Sequence, residues 1–166
     1  SGLSYRLGKE GYQVLIGSRN QEKALKKVNE INQRLNHEKV SVESNYLAAK
    51  KSDLIILAVP FSNHLAIVKE IAPVVKNKII LDTTDPLVPP KVARVQLPEY
   101  GSVAKKTQEL LGNEVRVVSA FQNVAAIHLN GDDALSGEIL VFVNNKDARE
   151  IIIGLIEQIG KKVFHV

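Results

Sequence analysis

Residues Val14–Lys23 read VLIGSRNQEK. Val14 to Ile16 are apolar and suit a short buried strand, and Gly17 leads into a tight polar tip at Ser18 and Arg19. Asn20 is a good helix cap. The helix it opens runs from Gln21 towards Leu35, with Ala24, Val28, Ile31 and Leu35 on its inner face. A strand, a glycine turn and an amphipathic helix in that order form half of a βαβ unit.

The same alternation continues on both sides. Upstream, Leu3 and Leu7 share a helical face in Gly2–Glu10, and Gly11 is a stop signal before the Tyr12–Gly17 strand. Downstream, Val40–Glu43 alternates as an edge strand should, and Asn45–Lys51 is a short helix. Leu54–Val59, LIILAV, is the strongest strand in the chain, and Pro60 forces a turn after it. Ser62 is the expected cap of a helix over Asn63–Val75. Strands are predicted at Lys78–Asp82, Val115–Ser119, Glu138–Val143 and Lys162–Val166, with helices at Tyr100–Leu111 and Asp147–Ile159. Ala120–Leu129 follows the Val115–Ser119 strand, with small residues that would admit a flat ring or a second helix.

The pattern is α/β, a Rossmann-like doubly wound, mostly parallel sheet in one domain over residues 1–166. The chain opens inside a helix and ends inside a strand. The expectation is a fragment whose first strand, glycine-rich turn and C-terminal segment lie outside it. That leaves a slot between Val14–Gly17 and Leu54–Val59, and open strand edges of this kind should weaken the isolated piece.

Composition removes several function classes. With 166 residues and no cysteine, the chain offers no disulfide framework and no thiolate nucleophile or ligand. The net charge of +4 is spread among mixed-sign faces, and aromatics make up 5%, so no nucleic-acid partner is expected. No apolar run reaches membrane-spanning length. The expected setting is cytoplasmic.

The tip carries the first functional reading. A dinucleotide fold that binds NAD usually places Asp or Glu there to accept from the ribose 2′-hydroxyl. Ser18, Arg19 and Lys23 instead suit a 2′-phosphate, which points to NADP(H). Ligands in open α/β sheets lie outside the carboxyl ends of the strands. Val59 and Pro60 would then line the dinucleotide. His64 could touch it or sit on the surface. Asp82, Thr83 and Thr84 read either as a substrate-side wall or as turn caps. His37 and His128 read as exposed surface groups. No metal-ligand cluster and no catalytic residue is identified.

GSRN with a lysine three residues on, LAVP, LDTTDPLVPP and VVSAFQNVAA occur in this order. As a set they resemble the NADPH-dependent reductases of the deazaflavin coenzyme F-420 (F420), archaeal relatives foremost. The resemblance implies that Ser18, Arg19 and Lys23 hold the NADP 2′-phosphate and that Val59 and Pro60 line the dinucleotide. It implies that Leu87, Val88 and Pro89, with Ala120, Phe121, Gln122, Asn123 and Val124, flank the acceptor. Some relatives carry His where Gln122 stands, so that position is assigned no proton-transfer role. The implied reaction is hydride transfer between NADP(H) and coenzyme F-420 by direct ring stacking, in a protein that works as a homodimer. The alternatives are an NADP-dependent reductase of another acceptor (an imine, a flavin or a ferric complex) and a non-catalytic NADP(H)-sensing domain.

Overall fold

The computed structural model describes residues 2–88, 94–95, 99, 101–131, 138–160 and 163–165. Its first helix is α1 (Gly2–Lys9), followed by β1 (Val14–Gly17), α2 (Gln21–Leu35), β2 (Val40–Glu43), α3 (Asn45–Lys51) and β3 (Leu54–Leu57). Then come α4 (Phe61–Ile71), β4 (Ile79–Asp82), β5 (Leu87–Val88), β6 (Arg94–Val95), α5 (Val103–Leu111) and β7 (Arg116–Ala120). The chain continues through α6 (Ala126–Leu129), β8 (Ile139–Phe142), α7 (Lys146–Gln158) and β9 (Val163–His165).

The main sheet has the order β3-β4-β7-β8-β9. Its pairs are parallel except β7 with β8. β1 and β2 form a separate parallel pair in which Gly17 lies opposite Glu43. The fold is thus Rossmann-like α/β with mostly parallel sheets.

Strand alternation builds two cores from one strand. Ile79 and Leu81 of β4 point into a cluster with Val118 of β7 and with Ala148, Ile152 and Ile156 of α7. Ile80 points the other way, to Val68 and Ile71 of α4 and Val117 of β7. A smaller core joins Tyr5, Val28, Ile31 and Val40 beside β1. Arg6, itself buried, brackets α1 to distant chain by donating to the carbonyls of Leu129, His128, Gly131 and Ile159.

β1 and β3 do not pair with each other. Both border one cleft of about 110 Å³, with α3 and α4 as its sides. Val14 N–H donates to Lys39 and Ser18 N–H to Glu43, so the even positions of β1 face β2. Alternation therefore turns the main-chain groups of Leu15 and Gly17 to the cleft. Thr83 N–H donates to the Leu57 carbonyl, which by the same rule leaves Ile56 on the cleft edge of β3. α3 crosses close to the end of β1: a Cβ on Gly17 would lie 3.1 Å from the Asn45 Cα.

Several expectations change. α4 begins at Phe61 with Pro60 at its cap, and Ser62 sits inside the first turn. Proline at the cap supplies no hydroxyl, but its fixed φ presets the entry and its carbonyl accepts from Asn63 N–H (2.9 Å). The helix then tightens into a 3-10 turn at Ala72–Val74 instead of running to Val75. β8 runs antiparallel to its neighbour β7. Leu87–Val88 forms a small antiparallel ribbon with Arg94–Val95 where a plain proline-rich loop is expected. His37 is half-buried, with its Nδ1 shielded from solvent, where an exposed surface group is expected. His128 is exposed, as expected.

Candidate active site at the carboxyl ends of the strands

The nucleotide-side tip is built by β1, its turn and α2. Asn20 caps α2 by accepting from Lys23 N–H at 2.9 Å. Ser18 shapes the turn: its Oγ accepts from Asn20 N–H at 3.1 Å and donates to the Asn20 carbonyl at 3.0 Å. The Ser18 carbonyl accepts from the Gln21 side chain at 2.7 Å. The tip is therefore held by its own polar groups.

Arg19 and Lys23 are exposed, and among the described residues their charged groups pair with nothing. That sets them apart from their neighbours. Glu22 is taken by Lys26 at 3.1 Å, and Lys27 by Glu30 at 2.5 Å. Two uncommitted cations thus stand in and before the first turn of a helix, whose own dipole also favours an anion. A phosphate dianion fits this donor set.

The side expected to face the acceptor is built where three strands end together. Leu57, Asp82 and Ser119 are in register across β3, β4 and β7. The chain leaves this edge through Ala58–Pro60, Thr83–Pro86 and Phe121–Val124. Val59 is half-buried and lines the β1/β3 cleft, and Pro60 is exposed at the start of α4. Thr83 locks the wall to β3, its N–H and hydroxyl both donating to the Leu57 carbonyl (3.0 and 2.9 Å). Phe121 has φ +73°, a left-handed conformation that folds the chain sharply back after β7. Gln122 Nε2 donates to the Asp82 carbonyl at 2.9 Å and to Ser119 Oγ at 2.8 Å. A carbonyl can only accept, so the amide nitrogen must face it, and Gln122 Oε1 is left as an acceptor without a partner among the described residues. Asn123 donates to the Glu138 carbonyl at 2.6 Å.

Beneath this wall lies a buried polar cluster. Asp82, His64 and Thr107 are each at most 1% exposed. His64 Nε2 is 2.8 Å from Asp82 Oδ2, and Thr107 Oγ1 donates to the same oxygen at 2.8 Å. Asp82 Oδ1 accepts from Thr84 N–H at 3.1 Å. A carboxylate only accepts, so the His64 proton belongs on Nε2, and Nδ1 is shielded without a partner. Burial opposes ionisation of Asp82. The His64 hydrogen bond and charge outweigh it, aided by Thr107 and the Thr84 N–H, and hold the carboxyl below its ordinary value. Asp85 has no such partners among the described residues, and burial pushes its carboxyl up.

The structure brings Ser18, Arg19 and Lys23 into one turn, and it sets Asp82 and Gln122 side by side. Ala120 and Phe121 are buried in the core under α7, so they support the wall and present little surface to a ligand. Val124 packs half-buried against the same core. Leu87 and Val88 form β5, and Pro89 lies outside the described residues. His64 is neither a surface group nor a ligand to the cleft. Its spacing to Ile67, Val68 and Ile71 puts it on the apolar stripe of α4, a signal that predicts burial. Thr107 shares the inner face of α5 with Val103 in the same way.

Among the described residues no group of three metal-ligating side chains converges, and no helix is long and apolar enough to cross a membrane. Shielded from solvent and unpartnered among the described residues, Thr84 Oγ1 is a polar atom the protein itself does not use at the acceptor side.

Residues 1–86 match the family described as NADP oxidoreductase, coenzyme F420-dependent. The F420-dependent NADP reductase of Methanocaldococcus jannaschii is 34% identical over 95% of this chain and 74% of its own length. The protein of the same name from Methanothermobacter thermautotrophicus is 31% identical, with 71% of its length covered. Among solved structures, a candidate F420-dependent NADP reductase from Arthrobacter sp. FB24 superposes with a TM-score of 0.78 at 22% identity, over 99% of this chain and 78% of that one. A pyrroline-5-carboxylate reductase from Coxiella burnetii superposes at 0.65 and 13% identity, over all of this chain and 56% of that one. At such identities the two structures speak for the fold. The sequence relatives decide the rest: the chain belongs to the family of coenzyme F420-dependent NADP oxidoreductases.

Proposed function

We propose that this protein transfers a hydride between NADP(H) and coenzyme F-420, with the nucleotide selected at the β1–α2 tip and the acceptor seated against the end of β4 and β7. The observation that carries the nucleotide half is the pair of uncommitted cations, Arg19 and Lys23, at a tip with no carboxylate at Ser18–Asn20 and with the neighbouring Glu22 already paired to Lys26. When bound, the nicotinamide and deazaflavin rings supply the redox chemistry themselves.

The residues of this chain have three tasks. Arg19 and Lys23 bind the 2′-phosphate, and Ser18 either joins them by exchanging its partner or keeps the tip in shape. Val59 and Pro60 border the dinucleotide at the head of α4. Leu87, Val88 and Pro89 with Gln122, Asn123 and Val124 form the acceptor side, backed by Ala120 and Phe121, and exclude water from the reacting faces. The positional demand on such a site is high, because rings must be held at near-attack distance.

The proposal extends to organisation. Residues 1–166 are one NADP-binding domain, and the β1/β3 cleft, with open main-chain edges on both sides, accepts one extended segment parallel to both strands. The protein acts in the cytoplasm as a homodimer. The apolar side chains of Ile127, Phe142 and Ile151 are exposed on α6, β8 and α7, which supports a partner surface there.

The test is direct. Protein mixed with NADPH and oxidised F-420 should bleach the deazaflavin absorbance. Bound NADPH with no bleaching would rule out F-420 as the acceptor.

A further inference from the structure

We propose that Asp82 is a positioning residue for this reaction: it holds the acceptor-side wall in place through four hydrogen bonds to three of its oxygen atoms. The inference rests on the reading above that the ends of β4 and β7 seat the acceptor.

Asp82 is the point where four elements meet. Oδ1 fixes the N–H of Thr84, and with it the start of the wall. Oδ2 ties that wall to α4 through His64 and to α5 through Thr107. The main-chain carbonyl orients the Gln122 carboxamide on the adjoining strand end. Asp82 therefore determines where two uncommitted polar atoms, Thr84 Oγ1 and Gln122 Oε1, are held. Asp82 itself is 1% exposed and does not reach a ligand, so its influence passes through those neighbours. The tip at Arg19 and Lys23 belongs to the β1–β2 pair and shares none of these contacts.

This separation makes the claim measurable. Asp82→Ala should lower kcat about tenfold or more, because small displacements of a reacting pair are costly. The Kd for NADPH should change by less than about threefold, since its phosphate contacts lie elsewhere. Asp82→Asn keeps an acceptor at Oδ1 and the same main-chain carbonyl, and its Nδ2 can donate to Thr107 Oγ1 and to His64 Nε2 once the His64 proton moves to Nδ1, so it should recover most of the lost kcat. A dependence on geometry predicts that rescue. Asn behaving like Ala would overturn the positioning role.

If Asp82→Ala does not fold, Thr107→Val carries the test, because it removes one donor to Oδ2 at constant shape. A loss of about threefold or more in kcat at unchanged NADPH Kd is expected, and an unchanged kcat would overturn the proposal. A second readout does not need F-420. In amide NMR spectra, NADPH should shift the Thr84 and Gln122 signals as well as those of Arg19 and Lys23. In Thr107→Val or Asp82→Asn the Arg19 and Lys23 shifts should persist, with the Thr84 response altered in the valine variant and retained in the asparagine one. An identical Thr84 response in wild type and Thr107→Val would contradict the proposal. Wild-type protein that shows these NADPH shifts but reduces no F-420 would remove the acceptor assignment and leave the Asp82 result standing.

Discussion

The nucleotide tip and the acceptor wall solve opposite problems with opposite chemistry. At the tip, Arg19 and Lys23 stand in solvent on a turn stitched by Ser18 and Asn20, and they pair with nothing among the described residues. Under the wall, Asp82, His64 and Thr107 are sealed from water and hydrogen-bonded to one another through Asp82 Oδ2. The tip is free to take a charge. The wall is bound to a shape. The difference teaches that, on the proposed assignment, selection of the cofactor and placement of the acceptor can be altered independently.

The largest effect should come from breaking the wall. Asp82→Ala leaves His64, Thr107 and the Thr84 N–H without their acceptor in a buried site, and about 3 kcal/mol of stability should be lost. Chemical denaturation measures it. A loss below about 0.5 kcal/mol, the size of an ordinary surface change, would erase the contrast.

The tip should respond in the other currency. Arg19→Asp with Lys23→Ala should leave stability within about 0.5 kcal/mol of wild type, while weakening NADPH about 100-fold through two lost charge-assisted contacts. NADH binding should barely move. Calorimetric titration of both nucleotides reads this, and an equal loss for the two would sink the 2′-phosphate assignment.

Acid should separate the regions further. Asp82 is more acidic folded than unfolded, so its contribution is complete above the ordinary value of 3.8 and is lost as pH falls through its lower folded value. Asp85 works with the reverse sign. Burial raises its value, so ionisation costs stability as pH rises above 3.8, and Asp85→Asn should flatten that part of the curve. Thermal melts from pH 2 to 7 on both single variants check the signs.

The smallest effect concerns the cleft. Amides of Leu15, Gly17 and Ile56 should exchange with solvent faster than those of Ile80 and Val118, which lie inside the main sheet. Equal protection would show that the cleft edges are closed.

Local chemistry was legible in the sequence wherever neighbours along the chain decide the outcome. Asn20 caps α2, and α2, β2 and α3 have the limits that periodicity predicts. Burial was not legible to the same degree. β3 (LIIL) and the start of β4 (IIL) are equally apolar, yet Leu54, Ile55 and Ile56 are half-exposed beside the cleft while β4 is buried throughout. A strand's burial depends on what lies on either side of it, and that is a property of the sheet. The His64–Asp82–Thr107 cluster was hidden for a related reason. Its members are separated by 18 and 25 residues, and only packing of α4 and α5 on one face of β4 brings them together. The β5–β6 ribbon depends on pairing across a proline-rich stretch whose composition argues for loop.

The central claim is that the tip selects the nucleotide and the wall seats the acceptor. The most direct test is the initial rate of F-420 reduction with NADPH and with NADH, in wild type and in Arg19→Asp/Lys23→Ala. Wild type should show a strong NADPH preference that disappears in the double variant, while the NADH rate survives. A preference that persists without Arg19 and Lys23, or loss of both rates together, would contradict it.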